Sequence, residues 1–464
     1  MVKYRRETCR RQQFMEVCHM YTKENNEHQY SFKNDWFMVP EVDKSHEIIK
    51  IADSIDWVSL SENLAPFYCP DNGRPTKPSR AKVGLLMLKH LYGLSDESVV
   101  DMLKRDLYAQ YLCDVSLKEA IRFIEPSSLT YFRKQIGAAG IKLIEQEALN
   151  SFKRAKKIRG RRLVADTTVM PVNIAYPTDV NLLDKIRRRA VEYLNQAKGF
   201  GAKTYRTYQR TARRVVITYQ KIRKHTIKMR RKVQKKLLQF SGRNVEQLND
   251  AVKTVKKSSV SVADKSKGQF IQKAETFLQL ANRILNQQKQ IYQNKKVTER
   301  IVSVHKTHIR PMVRGKYPVE VEFGPKVLVN LQGNYLFLED IQFNNVSDTQ
   351  LLKKSIEGYK ERFGRLPTQL ATDRGFWSKE NRQLAEDYGI KKIAMENKGK
   401  SNYLKGQPYR ERLRRARCKI EAKISLAKRK YGLARCLYSI QHGEEIWARL
   451  GLTAMNLKMA FGFG

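Results

Sequence analysis

The sequence predicts an α/β protein: a mixed-sheet core, preceded by a helical region and interrupted by a long basic helical insertion. Three observations carry that expectation. Residues 162–169 read RLVADTTV, a β-branched strand standing alone after helical sequence. Residues 181–300 are helical in period and hold 31 Lys+Arg against 7 Asp+Glu, an excess of 31 − 7 = +24. From 301 onward strand, hairpin, helix, strand, helix, strand and helix follow in turn, the order of a mixed sheet covered by helices.

Residues 1–45 are rich in Lys, Glu and Asn and predict a polar N-terminal arm. Residues 46–155 predict a helical region suited to binding DNA. The loop CPDNGRPTKPSR leads into AKVGLLMLKHLYG, which has apolar residues at helical spacing and stops at Gly93. Ser95 is the expected N-cap of SDESVVDMLKRDL, with acids in the first turn and bases later. Pro126-Ser127-Ser128 starts a further helix through LTYFRKQIG, presenting Tyr131, Arg133 and Lys134. Short helices in succession resemble a helix-turn-helix layout, which makes Arg133 and Lys134 candidate DNA contacts; a plain helical bundle with solvated basic residues fits the same pattern equally well. Residues 156–180 hold the first strand of the sheet domain, then the loop MPVNIAYPTD, where Thr178 or Asp179 could cap the next helix.

Within the insertion, residues 193–245 contain 16 Lys+Arg and no carboxylate. Tyr205, Tyr208, Val215, Val216, Ile217, Tyr219, Leu237 and Leu238 are interleaved with the bases, which predicts long helices with a narrow apolar seam. Residues 301–464 supply the rest of the sheet domain. Strands are expected at 316–324, 326–330 and 334–343, with the last two joined by Leu331-Gln332-Gly333. A helix at 348–364, a strand at 368–373, a helix at 378–389 and a strand at 390–395 follow. After the loop ENKGKSNYLKGQPYR, a very basic helix runs from about 410 to 430 and a last helix spans 444–460.

Composition excludes several classes. The 90 Lys+Arg and 46 Asp+Glu leave 90 − 46 = +44, which calls for a polyanionic partner. A 41% hydrophobic and 9% aromatic content supports a packed core rather than disorder. Six scattered cysteines suit a reducing cytosol. The start MVKYRRETCRRQQF has no apolar core, so no signal peptide is expected. GLLML and AMNLKMAFGFG fall far short of the roughly 18 residues that cross a bilayer, so no membrane partner is expected. No phosphate-binding GxxxxGK[ST] or GxGxxG loop occurs, which argues against a nucleotide cofactor. Cys9, Cys18 and His19 match no common zinc spacing, and His305 and His308 read as surface histidines.

Three acids stand out. Asp166 ends the first strand, Asp373 ends the strand after the first long helix of the sheet domain, and Glu421 is the one acid in RRARCKIEAKISLAKRKYG. Acids at strand ends are commonly caps, and one acid among bases is commonly an ion-pair partner. Converging, the three could instead hold two Mg²⁺, the hard-oxygen arrangement that phosphodiester chemistry requires. Arg417, Glu421 and Lys428 are four and seven apart and share one helix face. Phe376 and Trp377 follow Asp373; packing of helix onto sheet is their simplest role, and stacking of Trp377 on an extruded base is the functional alternative.

With these residues in view, the chain resembles the DDE transposases of bacterial insertion sequences, the group with a compact DDE core and a terminal "YREK" signature. GRPTKPSRAKVGLLMLKHLYGLSDESVVDML looks like their N-terminal helical region. ADTTVMPVNIAYPTDVNLL looks like the block with the first catalytic Asp, VEFGPKVLVN like the second sheet strand, and LATDRGFWSKENRQLAEDYGIKKI like the block with the second Asp. In the third block Arg417, Glu421 and Lys428 keep the family spacing, while Arg414 stands at the Tyr position.

The resemblance implies a ribonuclease-H-like core, with Asp166, Asp373 and Glu421 as catalytic metal ligands for Mg²⁺ or Mn²⁺. It places Arg414, Arg417 and Lys428 on DNA. It implies cleavage and strand transfer at terminal inverted repeats, a homodimer on double-stranded DNA (element ends and target), and a cytoplasmic, nucleoid-associated enzyme. The helical insertion then falls between the first and second strands, which leaves the strand order intact if its ends emerge together. A ribonuclease-H-like nuclease or resolvase, or a non-catalytic DNA-binding protein derived from a transposase, would share many of these features.

Overall fold

The computed structural model describes residues 19–20, 42–69, 73–258, 264–313, 321–395 and 408–462. Most of the expected N-terminal arm, with Cys9 and Cys18, lies outside the described residues, as does most of the loop before the last basic helix. The chain divides into two compact units. One comprises 1–173, 325–342 and 346–464, and the other 174–324 with 343–345.

The first unit opens with His19–Met20 (β1) paired to Arg74–Pro75 (β2), and with helices Glu47–Ser54 (α1) and Trp57–Leu64 (α2). Ser79–Tyr92 (α3) is buried on nearly every face and ends where Gly93 turns left-handed, at φ 67°. Ser95 then caps Asp96–Arg105 (α4), accepting from the Ser98 N–H at 3.0 Å. Leu107–Cys113 (α5) and Leu117–Ala120 (α6) lead to Pro126–Arg154 (α7), two helical segments that meet at Gly137, φ 56°. Leu129, Phe132 and Ile136 face the core on the first segment of α7. Arg162–Val169 (β3) follows as the first strand of the main sheet.

The second unit is built around Asp179–Lys198 (α8), Gln209–Gln220 (α9), Ile227–Lys257 (α10) and Asp264–Tyr292 (α11). Thr178 caps α8, accepting from the Asn181 N–H at 3.1 Å, which leaves Asp179 to pair with Arg300 at 2.6 Å. Its core joins Leu183, Ile186 and Leu194 of α8 to Leu237 and Leu248 of α10 and Phe277 and Ile284 of α11. Ile217, expected in the apolar seam, is 39% exposed, while Ala212, Val216 and Tyr219 form the buried side of α9. Strands Pro311–Val313 (β4) and Val321–Phe323 (β5) pair with each other in this unit. The strand expected over 316–324 therefore does not join the main sheet, and its first residues lie outside the described ones.

Back in the first unit, Lys326–Gln332 (β6) and Tyr335–Gln342 (β7) form a hairpin. Its turn is Gly333-Asn334, not Leu331-Gln332-Gly333: a two-residue hairpin needs positive φ, and Gly333 supplies 64°. A 3-10 turn at Asp348–Leu351 runs into Leu352–Phe363 (α12), followed by Gln369–Thr372 (β8), Lys379–Asp387 (α13), Lys392–Met395 (β9), Pro408–Lys430 (α14) and Gly443–Phe461 (α15). The five-stranded sheet has the order β7-β6-β3-β8-β9. β3 is antiparallel to β6 and parallel to β8, and β8 is parallel to β9. The N-terminal helices do not separate from this sheet. α15 is buried almost all round and packs on α3, α7 and β7, binding helices and sheet into one unit.

Candidate active site

Side-chain alternation sets which acids face which way. Leu163 and Ala165 of β3 and Leu370 of β8 enter the core shared with α12, so Val164, Asp166, Ala371 and Asp373 belong to the opposite face. Ala165 pairs with Thr372 across the two parallel strands, so Asp166 and Asp373 are the next residues in register. Neighbouring strands lie about 4.8 Å apart, which brings two acids 207 positions distant to one sheet end.

The third acid arrives on α14, which packs against β3, β8 and β9. Leu413, Ala416, Ile420, Ile424, Ala427 and Tyr431 recur at three- and four-residue steps and are all buried, a seam that fixes the helix rotation. Arg417, Glu421 and Lys428 each follow a seam residue by one position and so line one flank. Glu421 is exposed, whereas Arg417 and Lys428 are half-buried. Arg417 Nη1 stands 3.7 Å from Asp373 Oδ1. Arg414 is exposed and pairs with Glu411 at 3.4 Å.

The charges of the neighbouring acids act on Asp166. Burial pushes the Asp166 carboxyl up to about 7, and the charges of Asp373, Glu421 and Asp348 add to the rise; the backbone N–H of Thr167, 2.7 Å from Asp166 Oδ1, opposes it. Among the described residues, no three His, Cys, Asp or Glu side chains stand close enough to hold a metal as they lie. The donor set nevertheless suits a hard dication: carboxylate oxygens, mutually repelling, with one of them half-buried.

A fourth acid joins them that sequence reasoning read only as the start of a helix. Asp348 Oδ1 accepts from Thr167 Oγ1 at 3.0 Å and from Lys326 Nζ at 3.0 Å. Lys326 also donates to the Val346 carbonyl at 2.7 Å. A Cβ on Gly375 would stand 2.6 Å from Asp348 Oδ2, so the turn after Asp373 passes close against this carboxylate. Asp348 thus links β3, the start of β6 and the Asp373 turn. Nothing in its local sequence marks that role, because all its partners are remote or in another element.

The candidate DNA contacts outside α14 fare differently. Arg133, expected on a DNA-facing surface, is withdrawn from it: its side chain is 3% exposed. Its two terminal nitrogens donate to Asp96 at 2.9 and 2.6 Å, and its guanidinium lies 4.3 Å from the Tyr438 ring centre. The buried fork is committed to Asp96 and does not reach the surface where phosphate would lie. Lys134 is exposed, beside the exposed ring of Tyr131. Trp377 is partly buried against the sheet core next to fully buried Phe376, so packing accounts for the aromatic pair.

Comparison with known proteins bears on the same regions. The family described as Transposase domain (DUF772) matches residues 38–135, and the family described as Transposase DDE domain matches residues 323–457. A Rhizobium meliloti protein described as "Uncharacterized protein ORF8 in nfe locus" is 32% identical over 193 residues, which is 40% of this chain and 91% of that protein. No solved structure matches.

Proposed function

The chain belongs to the DDE transposases of insertion sequences, and from that premise we propose that it cleaves and joins DNA at the terminal inverted repeats of its own element. The observation that carries this reading is the register of β3 and β8, which sets Asp166 beside Asp373 under a helix bearing Glu421. The strand order supports a ribonuclease-H-like core, with 174–324 as an insertion between its first two strands.

Divalent metal is the cofactor of the family, and Mg²⁺, with Mn²⁺ as substitute, is the ion proposed here, held by Asp166, Asp373 and Glu421. When bound, it would stabilise charge on the phosphoryl oxygens and favour the ionised form of the attacking hydroxyl. The chain's own residues do the rest. Asp348 holds Thr167 and so orients Asp166. Arg417, beside Asp373, offers a guanidinium to the scissile phosphate, and Lys428 meets the backbone further along the same helix flank. Arg414 can serve as a phosphate donor in place of the family's Tyr, since Glu411 engages it only at the exposed surface. The partner is double-stranded DNA, with two copies of the chain bringing two ends together.

The test is Mg²⁺-dependent cleavage of DNA carrying the element's ends. Asp166→Asn and Asp373→Asn should each abolish cleavage and leave end binding intact. Cleavage that survives either change removes that residue from the centre. Cleavage without strand transfer would favour the nuclease.

A further inference from the structure

The helical unit carries a cationic face that its own fold does not use. α9 turns Ala212, Val216 and Tyr219 inward, so Arg210, Arg213 and Arg214 stand on its outer side, with Lys221 beyond its last turn. All four are exposed, and none has an ion pair among the described residues. From Tyr193 to Val245 the chain has no carboxylate to offer them. Asp250 of α10, which meets this segment, is already held by Tyr205 at 2.8 Å and Lys203 at 3.1 Å.

At the start of the same helix lies a built feature. Tyr208 is left-handed at φ 51° and 37% exposed, and the guanidinium groups of Arg206 and Arg243 each lie 4.7 Å from its ring centre. Arg243 comes from α10. The Asn244 amide donates to the Thr207 carbonyl at 3.3 Å and that of Gln247 to the Arg206 carbonyl at 3.2 Å, which pins 206–208 to that helix. A guanidinium stacked on a ring keeps its N–H edge free and loses less side-chain freedom when it binds an anion. Like charges held together without a counter-carboxylate favour a polyanion over scattered salt ions.

We propose that Arg210, Arg213 and Arg214, together with the Arg206–Tyr208–Arg243 stack, form a surface that grips the phosphate backbone of duplex DNA without reading its sequence. This rests on the transposase reading for the identity of the polyanion. It adds a docking surface on the helical unit, distinct from the residues assigned to cleavage.

The test uses the full chain and a duplex lacking the inverted repeats, with binding followed by fluorescence anisotropy over a range of KCl. Neutralising Arg210, Arg213 and Arg214 together to Gln should weaken binding at least about tenfold near 0.1 M salt. It should also flatten the log–log salt dependence by roughly 2–3, about 0.9 for each phosphate no longer neutralised. Tyr208→Leu should weaken binding several-fold at unchanged net charge. A control that converts exposed Lys289, Lys295 and Lys296 to Gln should change the slope less, and all variants should keep the wild-type melting transition. An unchanged slope in the arginine triple, an equal effect in the lysine control, or tighter binding to single-stranded RNA than to the duplex would overturn the proposal. If wild-type chain cleaves element ends while the arginine triple binds normally, only this surface fails. If the slope changes as expected but no cleavage occurs, only the transposase reading fails.

Discussion

Arg133 and Asp348 look ordinary in sequence, one a basic residue on a helix and the other an acid near a helix start, and their surroundings give each an unexpected task. Arg133 closes a buried fork on Asp96, which also pairs with Lys89 at 2.9 Å. Without Arg133, half-buried Asp96 keeps Lys89 but loses two charge-assisted hydrogen bonds. Arg133→Ala should therefore cost about 1.5–3 kcal/mol of stability, seen as a lower urea midpoint, with any loss of DNA binding following from unfolding. Asp348→Asn keeps the shape but weakens the acceptor for Thr167 and Lys326. It should slow end cleavage about 10–100-fold while duplex affinity stays within a factor of two, measured by single-turnover cleavage beside anisotropy.

At the scale of elements, α14 is the best-read part of the chain. Its Arg417–Glu421–Lys428 flank is a function of helical period, which sequence spacing states directly. Ile420 is the buried neighbour of Glu421 and anchors the helix on the sheet. Ile420→Ala should cost about 2–5 kcal/mol by urea unfolding, with cleavage falling further as Glu421 loses its fixed position. The hairpin and the 316–324 strand were less legible. Strand propensity marks β-rich sequence, but it does not say which sheet a strand joins, and the turn moved to the residue that can take positive φ. At Arg133 the sequence shows the period of a helix start without showing what packs on it, and the side chain is buried where exposure is expected.

For the whole molecule, the points where the helical unit leaves and rejoins the sheet unit matter most. The Met170 N–H donates to the Pro325 carbonyl at 3.0 Å, so the sheet unit meets itself where the insertion leaves and returns. Loop-closure entropy grows only as the logarithm of length, which makes a long excursion between adjacent strands inexpensive. Replacing 174–324 with a short Gly/Ser linker should leave a cooperatively melting sheet unit, judged by circular dichroism. Its affinity for non-specific duplex should fall and depend less on salt, since +24 of the +44 charge lies in 181–300.

The sequence by itself determined the class of the fold, the order of its elements, the unequal distribution of charge and the three acids worth testing. Each of these follows from local period, propensity or composition, or from resemblance carried by ordered motifs. Only the tertiary structure decided that Asp166 and Asp373 are neighbours in register, that Asp348 stands behind them and that Arg133 is buried. It alone set Arg206 and Arg243 against one ring. Those facts depend on contacts between residues far apart along the chain, where burial and pairing override what any single residue prefers.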